Sequence, residues 1–215
     1  MTYTELKTKI ANFLNRSDLA NEMDNFIQLT ESEVNRKLRH KDMIKRATAT
    51  LETQYSQLPG DFIGIVNVDL LTADPKPMFQ QSLESLDVFR KSIDNSTGEP
   101  KYYAISGDTL EVAPNPSSAY TIQMTYYAEI PGLSSSNATN FLSTSAPDVY
   151  LYGCLKHASI FLMEDERLPL ISTQFEKALE ELKIQQQQGA FGKGSLLPRK
   201  RTYGRARQKN YYYQT

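Results

Sequence analysis

The stretch RATATLETQYSQLPGDFIGIVNVDLL, residues 46–71, decides the fold. Its first seven residues alternate, placing Ala47, Ala49 and Leu51 on one side and Arg46, Thr48 and Thr50 on the other, the period-two pattern of a half-buried strand. Pro59-Gly60 punctuates the run, and the segment that follows is rich in Ile and Val, again β-forming. Upstream and downstream of this β-rich region the apolar period is helical. Strands lying between helices, instead of alternating with them, predict an α+β chain in which the sheet is an insertion.

Before it, Thr2 and Glu5 fit a capping box, and Leu6, Ile10, Phe13 and Leu14 share one face of a helix over residues 2–14. Asn15 to Asp18 break it. A second helix is expected from Leu19 to His40, striped by Leu19, Met23, Phe26, Ile27, Thr30, Val34 and Leu38. After it, residues 82–92 read as a short helix riding on the sheet. Residues 100–114 form a hairpin signal around Gly107-Asp108, and residues 119–130 a strand with Tyr120, Ile122, Met124 and Tyr126 on one face. Residues 133–140 are a polar loop. Helical spacing resumes at Pro147 with Val149, Tyr152, Leu155, Ala158, Phe161 and Leu162. After a turn it continues with Phe175, Leu179, Leu182 and Ile184, and it is expected to dissolve at QQQQGAFGKG. The expected organisation is a helical hairpin over 1–44, an antiparallel β-domain over 45–132, a helical pair over 133–188 and a flexible basic, Tyr-rich arm over 189–215. The two helical pairs are expected to combine as a four-helix bundle.

The net charge of −1 over 215 residues conceals an asymmetry. Residues 1–188 hold 17 basic and all 25 acidic residues, a balance of −8, while residues 189–215 hold seven basic residues and no acidic one, +7. An acidic body with a basic tail marks an interaction arm. Its last part, LPRKRTYGRARQKNYYYQT (197–215), interleaves cations with Tyr203, Tyr211, Tyr212 and Tyr213. That composition suits single-stranded nucleic acid, where aromatics stack on bases, and equally a protein groove, where Tyr and Arg anchor interfaces. A membrane surface fits least, because no amphipathic period or lipidation signal accompanies the charge. The start of the chain has no apolar signal core, and no run of about 18 apolar residues occurs, so synthesis in a cytosol and no membrane span are expected.

Candidates for chemistry are few. The one cysteine, Cys154, lies in an apolar helical setting and reads as a buried structural thiol. His157 follows three residues later, but no second Cys/His pair completes a zinc site. His40 reads as a cation at the end of helix two, complementing the macrodipole. Glu164, Asp165 and Glu166 are contiguous at a turn, whereas catalytic carboxylates converge across a cleft. GAFGKGS (189–195) lacks P-loop spacing and follows a helix, not a strand. No enzyme, cofactor or metal is expected. The basic end of helix two, Arg36, Lys37, Arg39, His40, Lys41, Lys45 and Arg46, is either a solvated helix end or a rim facing nucleic acid or an acidic neighbour.

Taken in order, EMDNFIQLTESEVNRKLR (22–39), QLPGDFIGIVNVDL (57–70), the segment from Gly98 to Leu133, and APDVYLYGCLKHASIFLMEDERLPLISTQFEKALEELK (146–183) resemble the head-to-tail adaptors of tailed bacteriophages, also called connectors, gatekeepers or tail tubular protein A. The resemblance covers nearly the whole chain and rests on order and spacing. It implies a virion protein at the head–tail junction, forming a homo-oligomeric ring, commonly of twelve copies, beneath the portal protein. The ring would continue the DNA channel, passing genome DNA without sequence-specific binding, and would contact a distal nozzle or tail-tube protein. By position in the family, the arm embraces the portal, which places Arg199, Lys200, Arg201, Tyr203, Arg205, Arg207, Lys209, Tyr211, Tyr212 and Tyr213 on it. Some members of the family hydrolyse cell wall. Without a convergent acid pair that activity is not expected here. The alternative is a nucleic-acid-binding accessory protein that uses the arm.

Overall fold

A computed structural model of the chain describes residues 1–94, 96–163 and 166–190. The first helix, α1 (Tyr3–Leu14), is capped as its sequence predicts: Glu5 N–H donates to Thr2 Oγ1 and Thr2 N–H donates to the Glu5 carboxylate. Asn15 in the left-handed region ends it. The next helix, α2 (Met23–Lys37), is shorter than the expected 19–40 span. Leu19 and Leu38 are buried as the stripe requires, but they lie in the turns flanking the helix.

The sheet region starts with β1 (Ile44–Leu51), β2 (Tyr55–Gln57) and β3 (Phe62–Leu71). The two-residue strands β4 (Lys76–Pro77) and β5 (Phe79–Gln80), the helix α3 (Leu83–Ser92) and β6 (Thr97–Gly98) follow. The hairpin β7 (Tyr102–Ser106) and β8 (Thr109–Ala113) turns through Gly107, whose φ of +57° suits the first position of a tight turn. Then come β9 (Asn115–Pro116) and the long β10 (Tyr120–Ala128). Two four-stranded sheets result, ordered β1-β10-β3-β4 and β2-β8-β7-β5, with a β6-β9 pair beside them.

These sheets are antiparallel except at β5–β7 and β6–β9, which pair in parallel and depart from the purely antiparallel domain expected. A parallel pair needs a crossover connection, and α3 supplies it between β5 and β7. Arg90 of α3 locks this crossover to the second sheet. It is buried, lies 3.0 Å from Glu111 and donates to Val112 O at 3.0 Å.

The chain returns to helix through α4 (Phe141–Ser145), capped by Asn140, then α5 (Pro147–Leu162) and α6 (Leu168–Ala190). The helix α6 continues through Gln185–Gln188 instead of dissolving there, because Gln is a good helix former. Its neighbour α5 is central and touches α1, α2, α4 and α6. The two regions have separate cores. Leu6, Ile10, Phe26, Ile27, Leu155, Phe175 and Leu179 belong to the helical one, which also draws in Ile130 and Leu133 beyond β10. Leu51, Val68, Leu70, Leu110, Val112, Ile122 and Met124 belong to the sheet core.

Candidate assembly surfaces

Side chains of α2 hold the junction between sheet and helices. Asn35 Oδ1 accepts from Ile130 N–H at 3.1 Å, and Glu31 Oε1 accepts from Leu133 N–H at 2.7 Å. Tyr150 of α5, fully buried, donates to the same Glu31 oxygen at 2.9 Å and accepts from Asn140 Nδ2 at 2.7 Å. Burial pushes both pKa values up: Glu31 stands above its ordinary carboxylate value despite these donors, and the Tyr150 phenol is also raised, helped by the neighbouring carboxylate. The segment leaving the sheet is thereby tied to α2 at two backbone points.

A second network joins α2, α5 and α6. Glu33 accepts from Lys37 at 2.8 Å and from Lys156 at 2.6 Å, while His157 Nε2 lies 3.4 Å away without hydrogen-bond geometry. Burial alone would raise the Glu33 pKa, but the hydrogen bonds from Lys156 and Lys37 hold it down to about 2. Lys37 also reaches Glu176 of α6, and the Lys156 ammonium sits 4.8 Å from the centre of the Phe175 ring. His157 is lowered by desolvation and by Lys156, so it stays neutral near pH 7. Cys154 is fully buried and its thiol is pushed up to about 12 by desolvation, as befits a structural residue.

The basic end of α2 does not survive as one surface. Lys37 is engaged by Glu33 and Glu176, and Lys45 pairs with Asp61 at 2.6 Å. His40 is not the helix-end cation its position suggests. The helix has ended at Lys37, and the His40 ring is buried, stacked on Phe141 with centroids 5.3 Å apart and Nδ1 accepting from Asp42 N–H. Desolvation lowers its pKa, so it packs as a neutral ring. Arg39 caps the helix end, donating to the carbonyls of Asn35 and Leu38. Arg36 and Arg39 help to line an open groove of about 640 Å³ between α2 and the start of β3, with Gln28, Ser32, Phe62 and Glu129.

Two exposed apolar surfaces escaped the sequence reading. At and around the α5–α6 turn, Ile160, Phe161 (53% exposed), Met163 (86%) and Leu170 (66%) are all exposed. Phe161 has Phe26 of α2 edge-on beneath it at 5.7 Å, yet it is not the core residue its spacing predicts. The clue lies in ASIFLM, more apolar than one buried face requires. On the second sheet Phe79 is exposed beside Tyr102, which Phe89 of α3 meets edge-on, and on α3 itself Leu83 and Val88 are exposed. Such patches mark contact surfaces on soluble proteins.

Among the described residues no group of three His, Cys, Asp or Glu side chains could hold a metal ion, and no helix is long and apolar enough to cross a membrane. All ten arm residues expected on the portal, Arg199 to Tyr213, lie outside the described residues, as do Glu164 and Asp165. The described surfaces offer exposed apolar side chains, ion pairs and strand edges. No curated protein matches the chain. A family model, SU10 adaptor protein, matches residues 1–199. The chain therefore belongs to the SU10 adaptor protein family, a family of phage head-to-tail adaptors.

Proposed function

We propose that this adaptor is a structural, non-enzymatic virion component of the head–tail junction, made in the host cytoplasm and assembled there into a ring of twelve copies beneath the portal. The observation that carries this reading is the family match over residues 1–199, and the charge split between an acidic body and a basic arm is consistent with it. In this reading the helices of residues 1–44 and 133–188 act as one four-helix bundle whose lateral surfaces meet neighbouring copies. The β-domain of residues 45–132 faces a distal tail protein. The arm of residues 189–215 docks on the portal through Arg199, Lys200, Arg201, Arg205, Arg207 and Lys209, with Tyr203 and Tyr211 to Tyr213 as anchors. An acidic lumen would repel the phosphate backbone and let genome DNA slide without sequence-specific binding.

The test is negative-stain microscopy of the chain mixed with its portal protein. Rings capping the portal are expected, and their absence under every condition would overturn the reading. Deleting residues 190–215 separates it from a nucleic-acid accessory role. The truncated chain is expected to lose portal association. If it still joined the portal but lost salt-dependent binding to single-stranded DNA, the arm would be a nucleic-acid arm.

A further inference from the structure

We propose that the outer edge of β1, with the cavity beside it, accepts an extended acidic segment of a partner protein as an added strand. The chain joins the two four-stranded sheets at two margins, through residues 52–54 between β1 and β2 and through Met78 between β4 and β5, and the second margin carries backbone hydrogen bonds to both sheets. There the chain passes from β4 through Met78 into β5, with Met78 N–H donating to Val68 O and Phe79 N–H to Lys101 O. On the opposite side the first sheet ends in β1 and the second in β2, and these two strands do not pair with each other. Between them lies a cavity of about 190 Å³ lined by Ala47, Ala49, Ser56, Leu58, Ile122 and Met124. The two alanines create it, because β1 carries small side chains over Ile122 and Met124 where a larger β-former would fill the space.

The other edges of these sheets are blunted. The strand β4 is two residues long and contains Pro77, and β5 is also two residues long. Along β3 the pairing with β10 shifts register twice and leaves Ile63 and Val66 without partners, and such bulges twist an edge away from further pairing. By contrast β1 pairs with β10 in unbroken register from Ile44 to Leu51, with no proline and no bulge. It is a regular eight-residue edge with a slot beneath it, the arrangement that strand addition uses: main-chain hydrogen bonds for affinity, a pocket for alternate side chains.

Charge selects the occupant. Arg46 is exposed and makes no ion pair among the described residues, and Lys45 beside it has only Asp61. No carboxylate lines the cavity. Two β1 edges meeting antiparallel would bring four cations into one strip, and the chain's own arm carries +7 and no acid. An extended segment with a carboxylate aligned to Arg46 and a β-branched residue over Ala47 and Ala49 meets the site without either repulsion. The inference does not depend on the ring.

The experiment is hydrogen–deuterium exchange on the full chain with a capped eight-residue peptide matched in length to β1, alternating valine and threonine with a glutamate as its sixth residue, which antiparallel pairing places opposite Arg46. Exchange across residues 44–51 is expected to slow by about tenfold at saturation. The same peptide with lysine at that sixth position is expected to bind about tenfold more weakly. Arg46→Glu, at an exposed position that leaves the fold intact, is expected to reverse that preference. Methylating alternate peptide nitrogens, which removes the strand hydrogen bonds, is expected to abolish protection. Unchanged exchange at 44–51, equal binding of the acidic and basic peptides, or equal binding of the methylated peptide would each overturn the proposal. So would protection of 44–51 that rises with concentration of the chain alone, which would assign the edge to a second copy.

Discussion

Glu33 is the residue on which three helices converge. It is buried on α2 and compensated by Lys37 of its own helix and Lys156 of α5, and Lys37 carries the connection on to Glu176 of α6. Replacing one partner of such a network leaves the other buried without a counter-charge, which costs more than the net worth of the pair. Glu33→Gln is therefore expected to lower unfolding stability by about 3 kcal/mol at neutral pH, measured by urea titration. The pH dependence follows from the depressed pKa. With the folded value near 2 and the ordinary value 4.5, the Glu33 contribution is fully present above pH 4.5 and is lost as pH falls towards 2. The gap between wild type and variant should shrink over that window; a constant gap would mean that the charge contributes nothing. The histidines act in the other part of the acid range. Both His40 and His157 are lowered from 6.5 by burial, so the unfolded chain takes up their protons first and stability falls as pH drops below about 6.5. His40→Phe, which keeps the stack on Phe141, is expected to flatten the loss between pH 7 and 5. An unaltered slope would show that His40 does not titrate there. Neither role is legible in sequence. The spacing of Glu33 and Lys37 announces an ordinary surface pair, and only the arrival of Lys156 from 123 residues away turns it into a buried hub.

At the scale of elements, the contact of α2 with α5 and α6 depends on Gly153. A Cβ there would stand 2.3 Å from Thr30 Cγ2 and 3.0 Å from Phe175 Cε2, so a methyl group fits only if the helices move apart. Gly153→Ala is expected to lower stability by about 3 kcal/mol even though alanine favours helix, because overpacking at a tight crossing outweighs propensity. Adding Thr30→Ser, which removes Cγ2 and keeps the hydroxyl that donates to Phe26 O, is expected to restore part of the loss. A purely additive double mutant, measured by thermal unfolding, would show that the two residues do not clash. Elements with a long periodic signal were readable: the stripe Met23, Phe26, Ile27, Thr30 and Val34 is buried along α2, and Ile122, Met124 and Tyr126 along β10. The two-residue strands β4, β5, β6 and β9 were not, since a period needs more than one repeat to be seen. The helix α4 has only five residues and is identified by its Asn140 cap, which in sequence is one more polar residue in a loop.

For the whole molecule, the split of charge between body and arm is the organising fact. The body carries −8 and has its cores within the described residues, while the arm contributes +7. In the proposed adaptor, the cations and tyrosines of that arm divide the work of docking, and kinetics can tell them apart. Charges far from the final contact accelerate encounter and make it salt-dependent, whereas buried aromatic anchors slow departure. The triple variant of Arg199, Lys200 and Arg201 to alanine is expected to lower the association rate with immobilised portal by about tenfold at low salt, with the difference closing as salt is raised. The triple variant of Tyr211, Tyr212 and Tyr213 to alanine is expected to leave association and its salt dependence unchanged and to raise the dissociation rate by about tenfold or more. Surface plasmon resonance at two ionic strengths reads both. If the tyrosine variant shifted only association, or the arginine–lysine variant only dissociation, the assignment of anchor and address would be reversed. If neither variant changed either rate, the portal contact would lie on the body, where the exposed Phe161, Met163 and Leu170 at the α5–α6 turn would be the next surface to substitute.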